Sequence, residues 1–342
     1  MHVRLVLVGF GNVGRALARL LMRKRETLAR DYGITFQVNG ILTGRRGGCI
    51  NPEGLDVERA LSLVESGARL DELSTVPVPS TGVEFIRACP GDVLFENTPV
   101  NVVNGQPAID HLRTALEQGM HAITANKGPV VHGYASLKAL AERVGRRFLF
   151  ESAVMDGAPI FSLFRGPLPA AELRGFRGIL NSTTNLILEL MENGKTFDEA
   201  VKITQDLGLA ETDPSGDIDG WDASIKVAAL STVLMGVPLT PQDVDRTGIR
   251  GITPQMIAEA RAAGERWKLV CTARREGDRV LGKVAPQRVS PDSPLYSISG
   301  SSSFVMFEMD VLPGLGIVES DPGPETTAYG LLADFINAMR GA

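Results

Sequence analysis

The sequence predicts an α/β protein in two parts, an N-terminal domain built on a doubly wound parallel sheet and a second, mixed α/β domain. Three observations predict this. Apolar strand-like runs alternate with amphipathic helical patterns from the N-terminus to Glu151. Beyond Glu151 the pattern changes to a strand, a long helical region and a hairpin. The 342 residues are enough for about two domains with ample core.

Composition excludes several classes of protein. The formal net charge is -5 and no Lys/Arg run occurs, which argues against a nucleic-acid partner. No apolar stretch is long enough to span a bilayer, so we expect no membrane partner. The first residues enter a strand at once, which leaves no room for a signal peptide and predicts a cytoplasmic protein. The three cysteines are isolated and form no CxxC, so neither disulfides nor a zinc site are expected.

The first element is a strand over Arg4–Val8, followed by a glycine-rich turn and an amphipathic helix. A GxGxxG turn between a strand and a helix predicts a Rossmann-type dinucleotide site, because its glycines let a pyrophosphate approach the helix N-terminus. A turn without a ligand is the alternative, which this context disfavours. The residues expected to contact the coenzyme here are Gly9, Phe10, Gly11, Asn12, Val13 and Gly14.

The following elements alternate as a doubly wound sheet requires, with right-handed crossovers. Strands are predicted at Phe36–Thr43, Asp92–Asn97, His121–Ala125 and Arg147–Glu151. Helices are predicted at Gly105–Gln118 and Tyr134–Val144.

The end of the second strand bears on the choice of coenzyme. It reads Thr43-Gly44-Arg45-Arg46 and lacks the carboxylate that binds the ribose 2′-hydroxyl of NAD. A guanidinium fits a phosphate well, so we expect a preference for NADP(H). Arg45 is the first candidate for the contact with the 2′-phosphate and Arg46 the second. The use of NAD(H) is left open. The alternative is that one or both arginines only solvate the loop.

The second domain begins with a strand that turns into a helix near Thr183. A long helical region and a hairpin follow, with strands at Lys268–Ala273 and Arg279–Ala285. The segment from Gly323 starts a helix that we expect to return to the first domain. The expected domains are therefore residues 1–151 with 322–342, for the dinucleotide, and residues 152–321, for substrate binding, catalysis and dimerisation.

The segment from Gly208 to Lys226 is the most informative part of the chain. Five carboxylates fall within twelve residues, at Glu211, Asp213, Asp217, Asp219 and Asp222. Proline and glycines interrupt them, so most of the segment is predicted to be a loop. An apolar helix follows, in which the only ionisable side chain is that of Lys226. Desolvation lowers the pKa of a lysine, so this pattern indicates a polar substrate and proton transfer.

Two simpler interpretations compete with that one. Asp222 and Lys226 are four residues apart, the spacing of an ordinary surface ion pair, but the apolar helix disfavours it. Ser215, Asp217 and Asp219 stand in the register of a calcium loop. The twelfth position of that loop requires a bidentate glutamate and is occupied by Lys226, which excludes calcium.

Four separated segments together resemble the homoserine dehydrogenase family: Gly9–Gly14, Thr124–Pro129, Asn181–Asn185 and Glu211–Lys226. Asp92–Pro99 and Gly323–Ala328 also fit, so the resemblance covers nearly the whole chain. It is to the short form, without an aspartokinase or a regulatory ACT domain. The resemblance implies NAD(P)H-dependent interconversion of L-aspartate 4-semialdehyde and L-homoserine in threonine, methionine and isoleucine biosynthesis. It also implies a homodimer formed through the sheet of the second domain.

The resemblance assigns roles to individual residues. It implies that Lys226 donates and accepts the proton, with Asp222 beside it and Lys127 near the nicotinamide. Glu211 and Asp217 would hold the amino group of the substrate. Thr98, Gly323 and Thr327 would join the glycine turn in contacting the coenzyme.

Asn181 and Thr183 stand at a predicted helix start, where backbone N–H groups could meet the substrate carboxylate. A simple N-cap cluster is the alternative, and the two are compatible.

The family also binds a monovalent cation, Na⁺ or K⁺, through backbone carbonyls that match Glu151, Val154, Asp156 and Ala158. The sequence departs from the family pattern nearby, since Asp156 stands where glycine is usual. Ser182 replaces a glycine and Pro324 lies in the closing turn. No departure affects the acidic loop or Lys226.

Two other functions would share only part of this pattern. One is a different amino-acid dehydrogenase with the same nucleotide domain, and the other is a non-catalytic dinucleotide sensor. The acidic loop with Lys226 argues against both.

Overall fold

The computed structural model describes residues 1–341, which divide into two compact units. The first unit comprises Met1–Ile160 and the C-terminal segment from Gly323, and the second comprises Phe161–Pro322. Residues 152–160, which the sequence assigned to the second domain, belong to the first unit. The hydroxyl of Ser152 donates to the carbonyl of Thr327, at 2.7 Å, and tethers this segment to the C-terminal one.

The sheet of the first unit has the strand order β3-β2-β1-β4-β5-β6. All neighbours are parallel except β3, a short antiparallel edge strand that the sequence analysis did not predict. The doubly wound parallel sheet is confirmed. The strands are β1 (His2–Val8), β2 (Thr35–Leu42), β3 (Gly48–Ile50), β4 (Val93–Glu96), β5 (His121–Thr124) and β6 (Phe148–Leu149).

The central strand β1 is buried on both faces, as in a doubly wound fold. Leu5 and Leu7 pack into one apolar cluster and Val6 into another on the opposite face. The helices that cover the sheet are α1 (Asn12–Tyr32), α2 (Val57–Glu65), α3 (Gly82–Ala88), α4 (Ala108–Glu117), α5 (Lys127–His132), α6 (Tyr134–Arg143) and the C-terminal α13 (Pro324–Arg340). Short 3-10 helices lie at Asp71–Leu73 and Glu151–Ala153.

The second unit has a sheet in the order β12-β11-β7-β9-β10-β8, antiparallel except between β8 and β10. The strands are β7 (Leu173–Ile179), β8 (Asp245–Arg246), β9 (Arg266–Glu276), β10 (Arg279–Val289), β11 (Ser303–Met309) and β12 (Leu315–Glu319). Its helices are α7 (Phe161–Arg165), α8 (Ser182–Glu192), α9 (Phe197–Asp206), α10 (Ser215–Ile218), α11 (Trp221–Leu234) and α12 (Pro254–Ala262), with a 3-10 helix at Pro241–Asp243. The expected hairpin forms, and Glu276 pairs directly with Arg279.

The acidic segment is not entirely a loop, because α10 forms one turn within it. Gly220 then adopts a left-handed conformation, with φ +81°, and α11 begins at the next residue. Most side chains of α11 are buried, as the apolar pattern predicts. Within residues 1–341, none of the helices is long and apolar enough to cross a membrane.

Candidate active site

The glycine turn leaves open space at the N-terminus of α1. Gly9 has φ +91°, and a Cβ there would lie 2.4 Å from the carbonyl carbon of Asn97. A Cβ on Gly14 would lie 2.3 Å from the carbonyl oxygen of Gly9. A Cβ on Gly11 would meet no atom of the described chain within 4 Å. The outer glycines are therefore required by packing, whereas Gly11 leaves room for a pyrophosphate at the helix N-terminus.

A cavity of about 260 Å³ lies in the first unit, at the carboxyl ends of β4 and β5. This is where ligands bind in doubly wound sheets. Four of its lining residues were expected from the sequence as coenzyme contacts: Val13, Thr98, Lys127 and Thr327. The sequence analysis assigned no individual role to Asn97, Val100, Ala125, Asn126 or Ser152, which also line it. A polar residue shortly after a buried strand is the sequence signal that could have identified Asn97, after β4, and Asn126, after β5.

Hydrogen bonds with the buried side chains of Glu96 and Asn126 fix the positions of Thr98 and Lys127 at this cavity. The carboxylate of Glu96, at the end of β4, accepts from the backbone N–H of Thr98, at 3.1 Å, and from its hydroxyl. Asn126 donates to the carbonyl of Thr98, at 3.0 Å, and its side-chain oxygen accepts from the N–H of Gly128, at 3.0 Å. Asn126 thus caps α5, whose first residue is Lys127.

The C-terminal helix closes the same region of the first unit. Gly323 is the N-cap of α13, and its carbonyl accepts from the hydroxyl of Thr327, at 2.9 Å. Pro324 occupies the first helical position, where its fixed φ suits a helix start. The departure from the family pattern at Pro324 is therefore compatible with the fold of this turn.

Asp156 has φ +43°, in the left-handed region that glycine favours and aspartate tolerates better than most residues. Its carboxylate lies 3.0 Å from the hydroxyl of Thr326, at the start of α13. This geometry accounts for a family position that is usually glycine.

The carbonyls of Asp156 and Ala158, which are both expected to bind a monovalent cation, have neighbours within the unit. The carbonyl of Ala158 accepts from the N–H of Ile160, at 2.9 Å. The carbonyl oxygen of Asp156 packs against Gly330, where a Cβ would approach it to 2.7 Å. A carbonyl oxygen has a second lone pair, so both atoms retain the capacity to bind a cation. In the described part of the chain, no group of three or more His, Cys, Asp or Glu side chains could hold a metal ion.

The two arginines after β2 differ in their surroundings. The guanidinium of Arg46 donates to the carbonyl of Gly67, and its backbone N–H donates to the hydroxyl of Thr43, at 2.7 Å. Its carbonyl accepts from the N–H of Leu70, at 2.9 Å. Arg46 is thus tied to its own loop and to the segment after α2, and both arginines are exposed.

Asn181, Asp217, Asp222 and Lys226 form a polar cluster in the second unit. The amide nitrogen of Asn181 donates to the carboxylate of Asp217, at 2.6 Å, and to that of Asp222, at 3.0 Å. The ammonium of Lys226 lies 2.9 Å from the carboxylate of Asp222 and donates to the carbonyl of Leu180, at 2.6 Å. The acidic loop and α11 therefore meet at the junction between β7 and α8.

The cluster is largely withdrawn from water. The side chains of Asp222 and Lys226 are 24% and 16% exposed. Burial raises the pKa of Asp217, and the neighbouring charge of Asp222 raises it further, against hydrogen bonds from Asn181 and Thr183 and the charge of Lys226. In a site that is largely shielded from water, two carboxylates can bind an ammonium group and a lysine can transfer a proton.

The structure does not bring Glu211 into this cluster. Its side chain is exposed, and its backbone carbonyl accepts from the side chain of Gln205, at 3.1 Å. Two further acids of the loop serve local structure, since Asp213 accepts from the N–H of Ser215 and Asp219 pairs with Arg250.

The helix start at Asn181 shows the N-cap, one of the two interpretations that the sequence left open. The side-chain oxygen of Asn181 caps α8 by accepting from the N–H of Thr184, at 2.8 Å, while its amide nitrogen contacts the two acids. The hydroxyl of Thr183 donates to the carbonyl of Leu209, at 3.2 Å. The contact between Lys226 and the carbonyl of Leu180 was not anticipated, and no signal in the sequence identifies it.

Two family models match the chain. One, described as homoserine dehydrogenase, matches residues 159–336, and the other, described as homoserine dehydrogenase, NAD binding domain, matches residues 9–151. The similarity therefore extends to the second unit. A dehydrogenase that shared only the nucleotide domain would not match there.

Curated relatives and solved structures agree with these matches. The chain is 37% identical to the NAD(+)-dependent homoserine dehydrogenase of Pseudomonas canavaninivorans, over 99% of the chain and 97% of the relative. It is 34% identical to the homoserine dehydrogenase of Methanocaldococcus jannaschii, over 97% of each. A putative homoserine dehydrogenase from Archaeoglobus fulgidus has the same fold, with a TM-score of 0.86, 31% identity and 98% of each chain covered. A hyperthermophilic archaeal homoserine dehydrogenase in complex with NADPH has a TM-score of 0.83, 29% identity and coverage of 100% of this chain and 99% of that one.

Proposed function

The chain belongs to the homoserine dehydrogenase family, and from that premise we propose how its residues carry out the reaction. Its activity is the NAD(P)-dependent interconversion of L-homoserine and L-aspartate 4-semialdehyde, an oxidation and reduction at a CH–OH group. The observation that carries the site assignment is the mostly buried pair of Asp222 and Lys226, joined to Asp217 through Asn181. We assign coenzyme binding to the first unit and substrate binding and catalysis to the second.

Lys226 is the acid–base group in this proposal. In the reducing direction its ammonium donates a proton to the alkoxide that forms as the aldehyde is reduced, and in the oxidising direction its amine takes the proton back. The carbonyl of Leu180, 2.6 Å from the ammonium, fixes the direction of one N–H group. Asp222 orients the lysine and stabilises its charge. The bound nicotinamide supplies or accepts the hydride.

Lys127 is the alternative proton donor, because it lines the cavity of the first unit. We propose that Lys127 instead lies near the nicotinamide and the reacting carbon, where its positive charge would stabilise negative charge that develops on the substrate oxygen.

Asp217 is the proposed contact for the substrate ammonium. Its carboxylate is held by Asn181, and an ammonium would relieve the repulsion between the carboxylates of Asp217 and Asp222. Glu211 is kept as a second ammonium contact on the family resemblance alone. The backbone N–H groups at the start of α8, around Asn181 and Thr183, are the proposed site for the substrate carboxylate.

The coenzyme proposal is a preference for NADP(H) with Arg45 at the 2′-phosphate. Support comes from the exposed guanidinium of Arg45 after β2 and from the missing carboxylate at that strand end. The relatives differ, since one is named as NAD(+)-dependent and another was solved with NADPH. Gly9–Gly14, Thr98, Gly323 and Thr327 are the remaining proposed contacts.

We also propose that Na⁺ or K⁺ binds the carbonyls of Glu151, Val154, Asp156 and Ala158. Its role there would be structural. The midpoint of thermal unfolding should be higher in KCl or NaCl than in tetramethylammonium chloride at equal ionic strength, and equal midpoints would contradict the site.

We further propose that the protein forms a homodimer and that it is located in the cytoplasm. Its pathway would be threonine, methionine and isoleucine biosynthesis. Support for the location is that the three cysteines, Cys49, Cys89 and Cys271, are free and buried.

The test of the proposed site is an assay of NADPH and NADH oxidation with L-aspartate 4-semialdehyde. Wild type should turn over, and Asp217→Asn should raise the KM for L-aspartate 4-semialdehyde about tenfold or more, as loss of a charge-assisted contact predicts. An unchanged KM in Asp217→Asn would refute the proposed ammonium site.

A further inference from the structure

A buried lysine lies outside the proposed site, in the middle of the second sheet. Lys268 of β9 is 0% exposed. Its ammonium donates to the side-chain oxygen of Asn185, at 2.9 Å, and to the carbonyl of Ile298, at 2.6 Å. Burial and the neighbouring charge of Arg266 lower its pKa to about 8. Burying an ammonium costs several kcal/mol, so an apolar residue at this position would be the simpler solution for stability alone.

Asn185, the partner of Lys268, is a fully buried residue of α8. A lysine can only donate, so Lys268 determines which end of the Asn185 amide faces β9. The nitrogen of that amide then points to the loop after β10 and donates to the carbonyl of Gly300, at 3.0 Å. The N–H of Gly300 in turn donates to the carboxylate of Glu189 on the same helix, at 2.5 Å. Lys268 and Asn185 thus join α8 to a strand and a loop at once.

The same helix turn carries the contacts to the polar cluster. The N–H of Asn185 donates to the carbonyl of Asn181, at 3.3 Å, which closes the first turn of α8. Asn181 holds both Asp217 and Asp222 through its amide nitrogen. The carbonyl of Leu180, one residue earlier, accepts from Lys226. Any shift of this turn would therefore move the partners of all three charged groups.

We propose that Lys268 is a positioning residue for the dehydrogenase reaction, which acts through Asn185 to hold the first turn of α8 and so the side chain of Asn181 against Asp217 and Asp222. The inference rests on the proposed site. Removing the ammonium leaves the Asn185 oxygen and the Ile298 carbonyl buried without this donor, which favours a rearrangement of the turn. A displacement of about 1 Å at a reacting centre can cost about a hundredfold in rate.

The experiment compares Lys268→Met with Lys283→Met in the full-length enzyme. Methionine has a similar length and fills irregular apolar space, but it lacks the donor. Lys283, on the adjacent strand β10, forms a half-exposed pair with Asp245 and is the matched control. Lys268→Met should raise the KM for homoserine about tenfold, the size of one lost buried hydrogen bond, and leave the Kd for coenzyme unchanged. Lys283→Met should leave both constants as in wild type.

A double-mutant cycle separates positioning from general stability. If Lys268 acts through Asn181, then Lys268→Met should add little to the KM defect of Asn181→Ala, whereas independent effects would multiply. Multiplying effects, or an unchanged KM in Lys268→Met, would overturn the proposal. An unchanged KM in Asn181→Ala alone would show that the site assignment is wrong, and the inference would fall with it.

Asn185→Ala examines the same link from the side of α8. If Lys268→Met does not fold, as judged by circular dichroism and coenzyme binding, Asn185→Ala carries the test. It should raise the KM for homoserine and leave the Kd for coenzyme unchanged. An equal loss of coenzyme and substrate binding would indicate a purely structural role and overturn the proposal.

Discussion

At the scale of single residues, the Asp222–Lys226 pair differs from the surface ion pairs that its spacing most often produces. An exposed pair of this kind contributes little to stability. Here both side chains are mostly buried, and Asn181 and the carbonyl of Leu180 supply further hydrogen bonds. Holding a lysine in this way keeps its N–H groups in fixed directions, which is what proton transfer to a bound substrate requires.

Lys226→Ala should abolish turnover while folding and coenzyme binding remain near wild type. A general acid–base group contributes about a hundred- to ten-thousandfold in rate. The measurement is kcat in both directions, with coenzyme affinity as the control for folding. If the variant kept more than about a tenth of wild-type activity, less than the loss expected for an acid–base group, Lys127 would become the candidate.

Arg45→Ala should lower kcat/KM for NADPH about tenfold to a hundredfold and leave that for NADH unchanged, because a charge-assisted hydrogen bond to phosphate contributes about 1.5–3 kcal/mol. Arg46→Ala is the matched control, since Arg46 is already bonded to Gly67. A clear preference for NADH that Arg45→Ala does not alter would show that this loop does not read the 2′-phosphate.

At the scale of elements, the glycines of the turn between β1 and α1 have different roles, since one is required by packing and another leaves room for a ligand. Gly14 packs against the turn itself, whereas Gly11 faces open space. Two glycines of one motif are therefore expected to respond differently to the same substitution.

Gly14→Ala should lower the free energy of unfolding by about 1–3 kcal/mol, the usual cost of overpacking, and weaken coenzyme binding as well. Gly11→Ala should leave the free energy of unfolding within about 0.5 kcal/mol, as for other changes away from packed features, yet still weaken coenzyme binding. Urea unfolding and coenzyme titration measure the two effects. Normal coenzyme affinity in Gly11→Ala would mean that the pyrophosphate does not approach this position.

At the scale of the whole molecule, the buried ammonium of Lys268 links stability to pH. Its pKa is about 8 in the folded protein, against about 10.4 for an unperturbed lysine. Between these values the unfolded chain binds the extra proton, so this group makes the free energy of unfolding rise with pH. The charged groups that act on Lys268 are Arg266, Glu192 and Glu189.

Wild type should therefore gain stability relative to Lys268→Met as pH rises from about 8 to about 10, by up to about 1.4 kcal/mol for each pH unit. Urea unfolding of both proteins at several pH values measures the difference, in which the titration of other groups cancels. A difference that is independent of pH would show that the pKa of Lys268 is not lowered.

Dimerisation is the second expectation at this scale. Leu281, Val311, Leu312 and Val318 are large apolar residues of the second unit that the single chain leaves exposed. Light scattering should give twice the 36.6 kDa mass of the chain. Val318→Asp, on β12, should shift the mass toward one chain, whereas Val103→Asp, at an exposed apolar residue of the first unit, should not. A single-chain mass for wild type at micromolar concentration would refute the dimer.

Local sequence patterns are sufficient to predict the features that depend on neighbours along the chain. Alternating patterns predicted the doubly wound sheet, the turn at Gly9–Gly14 predicted a coenzyme site, and the apolar helix around Lys226 predicted a partly desolvated lysine. Periodicity and short spacing fix these features because the backbone places residues one turn apart on the same face.

Which distant residues come into contact is known from the folded structure alone. Packing brings Asn181 to Asp217 and Asp222, leaves Glu211 exposed, buries Lys268 against Asn185 and ties Ser152 to the C-terminal segment. None of these contacts follows from local pattern, since each joins elements that are far apart in the chain. Their geometry depends on how the core packs, and therefore on all of its side chains at once.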